Sequence, residues 1–93
     1  MEQIISSIQQ LKLSETSPQR LFHGRGGRYA ALTFVNVDWL CPILLVTLYE
    51  QQSDTWESQL FEAVIKSAPE AMQTVIVQRR YQKPVVFETV YGP

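Results

Sequence analysis

The sequence predicts a small α+β domain in which one sheet, rich in antiparallel pairs, carries its helices on one face. Three observations lead to this fold class: two stretches with apolar residues at helical spacing, four stretches rich in β-branched and aromatic residues, and their order α-β-β-α-β-β. A single sheet covered on one face is the simplest arrangement that buries apolar stripes in this order. The 93 residues suffice for one domain, residues 1–93.

The first helix is predicted over residues 2–13. Its apolar residues recur at helical spacing and its polar residues fall on the other side; the apolar set is Ile4, Ile5, Ile8 and Leu11. Pro18 disfavours helical angles at Ser17, so the helix is expected to end before them. Residues 14–28 then predict a polar connection, in which the glycines supply turn positions with positive φ.

Two strands are predicted next, close enough along the chain to pair as an antiparallel hairpin. The first begins at Tyr29 in YAALTFVNVDW, and residues 38–42 interrupt it. The second is PILLVTLY. Because its centre is apolar on both faces, it is expected to lie in the middle of the sheet.

The second half of the chain predicts a helix and two further strands. Asp54 and Glu57 have the spacing of a capping box, Trp56 opens an apolar stripe, and Pro69 ends the helix near Ser67. TVIVQRR is the third predicted strand and VVFETVY the fourth, with a short turn at YQKP between them.

Composition limits the setting of the protein. The chain has one cysteine, Cys41, so it forms no internal disulfide, and a reducing environment fits best. No leader peptide is recognisable, and the longest apolar run, LCPILLV, is far shorter than the roughly 20 residues of a membrane span. A cytoplasmic protein without a membrane partner is expected.

The distribution of basic residues is the most informative functional signal. The net charge is −1, so there is no overall basic field, yet six of the eight Lys and Arg residues fall within residues 20–28 and 79–83. If the sheet brings these segments together, they form an RNA-binding patch with Arg20, His23, Arg25, Arg28, Arg79, Arg80 and Lys83 as its contact residues. The alternative is an ordinary solvated rim of arginines.

Residues 20–28, RLFHGRGGR, do not fit a catalytic or nucleotide-binding loop. A dinucleotide fingerprint needs a strand before its glycines and a helix after them, whereas here coil precedes and a strand follows. His23 is the single histidine; as a general base it would need an orienting carboxylate, for which Glu15 and Asp38 are the possible partners, and a polar surface role is the expected one. Cys41 lies at the entry to an apolar strand, where packing is the expected role. No catalytic residue and no metal ligand is therefore predicted.

The stretch RLFHGRGGRYAALTFVNVDWLCPILLVTL resembles the small domain that precedes the catalytic domain in bacterial SAM-dependent ribosomal-RNA (cytosine-5) methyltransferases. VIVQRR and ETVYGP look like the later strands of that domain, so the resemblance covers about residues 2–93. The residues that fall on the family pattern are Arg20, Leu21, Gly24, Gly26, Gly27, Val37 and Asp38.

This resemblance implies a non-catalytic accessory domain, a fragment of a larger methyltransferase, that positions RNA or docks on the catalytic domain in cis. The family's SAM-binding loop and catalytic cysteine lie outside this domain. No cofactor is therefore expected in this chain, and SAM is expected in an adjoining catalytic domain.

A protein-interaction or homodimerisation module is the alternative from another class. Antiparallel sheets leave an unpaired edge that accepts a partner strand or a second copy. Trp39, Tyr49 and Tyr91 are the expected anchors of such an interface.

Overall fold

The computed structural model describes residues 2–10, 17–24 and 32–93. They form an α+β fold with two helices and one five-stranded mixed sheet. Neither described helix combines the length and apolarity that a membrane crossing requires. In chain order the elements are α1 (Glu2–Gln9), β1 (Gln19–His23), β2 (Val35–Leu40), β3 (Ile43–Leu48), α2 (Asp54–Ser67), β4 (Thr74–Arg79) and β5 (Val86–Tyr91).

The strands lie in the sheet in the order β1-β2-β3-β4-β5. Neighbouring strands are antiparallel except β3 and β4, which are parallel. The parallel pair follows from α2, which carries the chain back along the sheet before β4 begins. The predicted α+β class is confirmed. The sheet, however, is mixed, and the predicted order α-β-β-α-β-β is wrong because it lacks a strand.

The missing strand is β1, which lies inside the predicted polar connection 14–28. It pairs with β2 through a register that shifts between Arg20 and Phe22. Of its five residues only Phe22 is buried. A strand at the sheet edge with a single buried side chain gives no alternating pattern, and for this reason the sequence does not predict it.

The boundaries of the hairpin strands and of α1 also differ from prediction. β2 begins at Val35 and continues through Leu40, so residues 38–40 belong to the strand and only the turn at Cys41 and Pro42 interrupts the chain. Residues 32–34 form a turn, and residues 25–31, which include the start of the predicted strand, lie outside the described residues. α1 ends at Gln9, and residues 11–13 also lie outside that part of the chain.

Both helices bury their apolar residues in one cluster with one face of the sheet. The cluster crosses the sheet through Phe22, Val37, Val46 and Val77, which are successive neighbours in register. Four residues of α1 and α2 complete the cluster on the side of the sheet that the helices cover: Ile4, Ile8, Leu60 and Val64. We call this the helix face, and the opposite side of the sheet the open face. Trp39 is fully buried in the same cluster, so the prediction that it anchors an interface is wrong.

Ser53, and not Asp54, caps the N-terminus of α2. Its Oγ accepts a hydrogen bond from the backbone N–H of Trp56 at 3.2 Å, which satisfies one of the unpaired donors of the first turn. The predicted capping box of Asp54 and Glu57 is therefore wrong. Glu57 instead points toward the sheet, where it is buried.

Gly24 follows β1 at a point where the backbone is tightly packed. A Cβ atom there would lie 1.9 Å from the carbonyl oxygen of Leu32 and 2.4 Å from that of Val35. Its φ is not positive, so the expectation of a positive-φ turn is wrong for Gly24; Gly26 and Gly27 lie outside the described residues. Glycine is needed here because the two ends of the β1–β2 connection approach closely.

Replacing Gly24 with alanine is expected to destabilise the fold by about 2 kcal/mol, because two backbone carbonyls must move to admit a methyl group. The midpoint of urea unfolding measures the change in stability. Gln82→Ala, at an exposed turn position, is the control and should shift the midpoint little. Equal stability of the two variants would contradict the close packing at Gly24.

Candidate nucleic-acid interface

The sheet register brings one end of four strands together. His23 of β1 faces Asn36 of β2, Asn36 faces Thr47 of β3, and Thr47 faces Gln78 of β4. This row lies near the end of β1, β3 and β4 and near the start of β2. Gly24, which follows β1, and the turn at residues 80–85, which follows β4, therefore lie at the same end of the sheet.

The described part of segment 20–28 and the start of segment 79–83 thus run toward the same end of the sheet, on strands that are not neighbours. β1 and β4 are three strand spacings apart, or roughly 14 Å. Arg25 and Arg28 lie outside the described residues. The surroundings of the other five predicted contact residues are defined, and they differ sharply from one another.

Arg20 is held by a carboxylate on the neighbouring strand. Its Nε donates to Oδ1 of Asp38 at 2.8 Å, and its Nη2 donates to Oδ2 at 3.3 Å. The two residues are direct cross-strand partners, so the planar guanidinium meets the carboxylate with two parallel hydrogen bonds. This hydrogen bonding raises the pKa of Arg20. The Arg20 side chain remains 47% exposed, which leaves it accessible from solvent.

His23 is tied to the same arginine. Nη1 of Arg20 lies 2.9 Å from Nδ1 of His23. Because a guanidinium can only donate, Nδ1 must be the acceptor, and the ring proton of a neutral imidazole is then on Nε2. In that tautomer Nε2–H is the remaining donor of the His23 ring.

Arg79 has the opposite environment, enclosed on the helix face. Its Nη2 donates to Oε1 of Glu57 at 2.7 Å, and its Nη1 donates to Oε1 of Glu88 at 2.6 Å. The Arg79 side chain is 15% exposed. Hydrogen bonding to Glu57 is the main cause that raises the pKa of Arg79. One guanidinium thus joins α2, β4 and β5, and two carboxylates balance its charge.

Arg80 and Lys83 are the exposed cations of the β4–β5 turn. Neither forms an ion pair with a carboxylate within residues 2–10, 17–24 and 32–93. The guanidinium carbon of Arg80 lies 5.9 Å from the ring centroid of Tyr49, within reach of a cation–π contact. Leu48 and Arg79 lie on the helix face, so alternation places the residues that follow them, Tyr49 and Arg80, toward the open face. The pair presents a flat cation on an aromatic ring.

The carboxylate partners of these arginines were not predicted from the sequence. They are Asp38, Glu57 and Glu88, and they decide which arginines are neutralised. The partner of Arg20 is 18 residues away in sequence, and that of Arg79 is 22 away on another element. Sequence spacing therefore gives no direct signal for either pair. Tyr81, which follows Arg80 in the turn, packs against the hydrophobic core.

The remaining features of chemical interest are a cysteine and a groove. Cys41 is half-buried in the β2–β3 turn and packs against the core, in line with its expected role. A groove of about 380 Å³ runs between the helices and includes Ile5 and the ion-paired Glu62 and Lys66. Among the described residues, no three His, Cys, Asp or Glu side chains converge where they could hold a metal ion.

Replacing Arg79 with methionine is expected to destabilise the protein by about 3 kcal/mol, because the enclosed Glu57 would have no partner. Lys66→Met is the matched control: it breaks an exposed, solvent-screened ion pair and should change the stability little. Urea unfolding compares the two variants. Equal costs would show that Arg79 is not a structural residue.

Neither a scan against models of known protein families nor a search of curated proteins finds a match for this chain. The function is therefore argued from the geometry of the site and from the sequence pattern.

Proposed function

We propose that the chain is a non-catalytic accessory domain of a SAM-dependent RNA methyltransferase, which positions RNA for a catalytic domain in cis or docks on that domain. One observation supports the RNA role: β1, which holds the start of segment 20–28, and β4, which ends at Arg79, both run toward the same end of the sheet. The resemblance in sequence pattern supplies the methyltransferase context. The proposal assigns no catalytic residue and no cofactor to this chain.

The cations divide into two groups in this proposal. Arg79 is structural, because two carboxylates already satisfy it. Arg80 and Lys83, with Arg25 and Arg28 of the β1–β2 connection, make the phosphate contacts. Contacts of this kind fix the position and orientation of RNA without reading its sequence.

Arg20 and His23 contribute at the other edge of the same end. The Nε2–H of His23 is a neutral donor for a phosphate or ribose oxygen. Arg20 stays partly exposed beside Asp38, and this acid limits its net attraction for an anion. We therefore expect Arg20 and His23 to add orientation and Arg80 and Lys83 to add most of the charge-dependent affinity.

The experiment measures binding of a labelled RNA hairpin by fluorescence anisotropy at several salt concentrations. Two double variants are compared with the wild type: Arg80→Ala with Lys83→Ala, and Arg25→Ala with Arg28→Ala. Each should weaken binding and make the slope of log K against log salt shallower, by about 0.7 for every single-stranded phosphate that is no longer neutralised.

Lys66→Ala is the control for this experiment, because it removes a cation from α2, away from the end of the sheet. Its salt slope should equal that of the wild type. If both double variants kept wild-type affinity and slope, the RNA contact would be refuted.

A second candidate function, strand addition at the sheet edge, is favoured by β5. Among the described strands this one pairs only with β4, and several of its large apolar side chains are exposed: Val86, Phe87 and Tyr91, with Val85 beside them. The other edge strand, β1, is polar and irregular in register, as expected of an edge that avoids pairing. A partner strand would hydrogen-bond to β5.

Edge pairing makes a distinct prediction for backbone exchange. The outward-pointing amide groups of β5 should become protected from exchange with D₂O when a partner strand or a second copy binds there. Hydrogen-exchange mass spectrometry at low and high protein concentration measures this protection. The amides of β1 are the internal control and should exchange equally at both concentrations.

A further inference from the structure

The open face of the sheet carries an apolar patch. Leu40 faces Ile43 across the β2–β3 pair, and Leu45 faces Ile76 across the β3–β4 pair. Phe87 faces Gln78, two residues beyond Ile76 on the same side of β4. Because alternate residues of a strand share a face, these five apolar side chains lie on one surface.

None of these five side chains belongs to the hydrophobic core or packs against it. Phe87 is 62% exposed and Leu40 is 40% exposed, while Ile43, Leu45 and Ile76 are half-buried. The buried apolar residues of α1 and α2 all join the helix face. Within the described part of the chain, no helix therefore covers the patch.

An apolar patch at the centre of a sheet indicates a missing layer. β3 is apolar on both faces, which is typical of strands that are covered on both sides. Soluble monomers rarely expose contiguous apolar patches larger than a few hundred Å², and such patches usually mark an interface.

The polar groups of this face are suited to burial. Thr47 donates a hydrogen bond from Oγ1 to Oε1 of Gln78 at 3.3 Å, and Asn36 donates from Nδ2 to the Tyr49 hydroxyl at 3.3 Å. A covering surface would thus meet groups that already have partners, so their desolvation costs little.

The charges of this face are compatible with a second copy of the same chain. Arg20 and Asp38 lie on the open face at its β1–β2 side and neutralise each other, so this pair causes no net repulsion when two such faces approach. Arg80 lies at the end of the sheet and remains at the rim.

The area of the face also agrees with a dimer. Five strands about 4.8 Å apart and six residues of about 3.3 Å each give a flat surface of roughly 24 × 20 Å. Two copies would bury on the order of 1,000 Å² in total, at the lower limit for a specific interface.

We propose that two copies of this chain associate through their open faces, forming a dimer with four layers: helices, sheet, sheet, helices. The two sheets would pack about 10 Å apart, as in a β-sandwich, with Ile76 and Phe87 in the interface. The limited area predicts a weak dimer that forms in the micromolar range. Arg80 and Lys83 stay outside this interface, whereas Arg20 and His23 lie on the open face by their register partners Asp38 and Asn36, so the dimer would cover their part of the proposed RNA contact.

Sedimentation equilibrium from micromolar to millimolar protein tests the proposal. The wild type should approach twice the mass of one chain. Phe87→Glu, at an exposed position, should raise the dissociation constant about tenfold or more, because it places an unpaired charge in an apolar interface. Ile76→Thr, which keeps a β-branched side chain, should weaken the dimer in the same direction.

Val86→Glu is the matched control: it lies beside Phe87 on β5, and its register partner Arg79 places it on the helix face. Under face-to-face packing it leaves the dissociation constant unchanged, and circular dichroism confirms that each variant is folded. A wild type that stays monomeric at millimolar concentration overturns the proposal. Weaker association in Val86→Glu with no change in Phe87→Glu also overturns it, in favour of pairing at the β5 edge.

Methyl NMR gives a second readout that needs no substitution. On raising the wild-type concentration, the methyl shifts of Ile43 and Ile76 should change, while those of the core residues Ile4 and Ile8 stay constant. Equal behaviour of the two pairs would refute an interface at the open face.

Discussion

β3 and β4 run parallel because α2 carries the chain back along the sheet between them, and the position of the charged segments depends on this pairing. The parallel arrangement places the end of β4 beside the end of β3, and therefore beside the start of β2. In the same strand order, an antiparallel β4 would put residues 79–83 at the opposite end from residues 24–34. One crossover helix therefore places Arg80 and Lys83 of the β4–β5 turn at the end of the sheet where β1 ends.

Arg79 links the crossover helix α2 to the sheet. Its guanidinium contacts Glu57 in the first turn of α2 and Glu88 in β5, so a single side chain fixes the helix against the two last strands. The arrangement also separates the roles of two adjacent arginines. Arg79 lies on the helix face and is neutralised, whereas Arg80 projects to the other side, where it contacts an aromatic ring and solvent. Strand alternation alone produces this division.

The sequence predicts those elements whose side chains repeat with a clear period. β3, α2, β4 and β5 lie where their apolar patterns indicate, because each buries at least one regular face or carries a run of β-branched residues. β1 was missed because one buried side chain, Phe22, makes no period. The direction of β4 was also missed, since side-chain alternation carries no information on direction and only the strand–helix–strand order favours parallel neighbours.

The candidate site was predicted at the level of segments but not of side chains. Clustering of basic residues is visible in the sequence, whereas their neutralisation depends on carboxylates that are brought close only by the fold. Asp38 contacts Arg20 because the two residues are register partners on neighbouring strands. Ser53 caps the N-terminus of α2, and the helix that begins there directs Glu57 toward the sheet, where it contacts Arg79. Counting charges along the chain therefore overestimates the cations that are available to a ligand.

The two surfaces of the sheet that remain accessible differ in chemistry and in position. The centre of the open face is apolar and has no net charge, while the end of the sheet collects exposed cations. A polyanion gains most where its phosphates meet exposed Lys and Arg, and it gains little from an apolar centre. A second sheet gains most by covering that centre and incurs a desolvation cost at the charged end. Each ligand thus selects its own region, and Arg80 on Tyr49 lies at the boundary between them. Under the two proposals, an RNA strand on Arg80 and Lys83 and a second copy on the open face are compatible, whereas an RNA strand on Arg20 and a second copy compete for the same face.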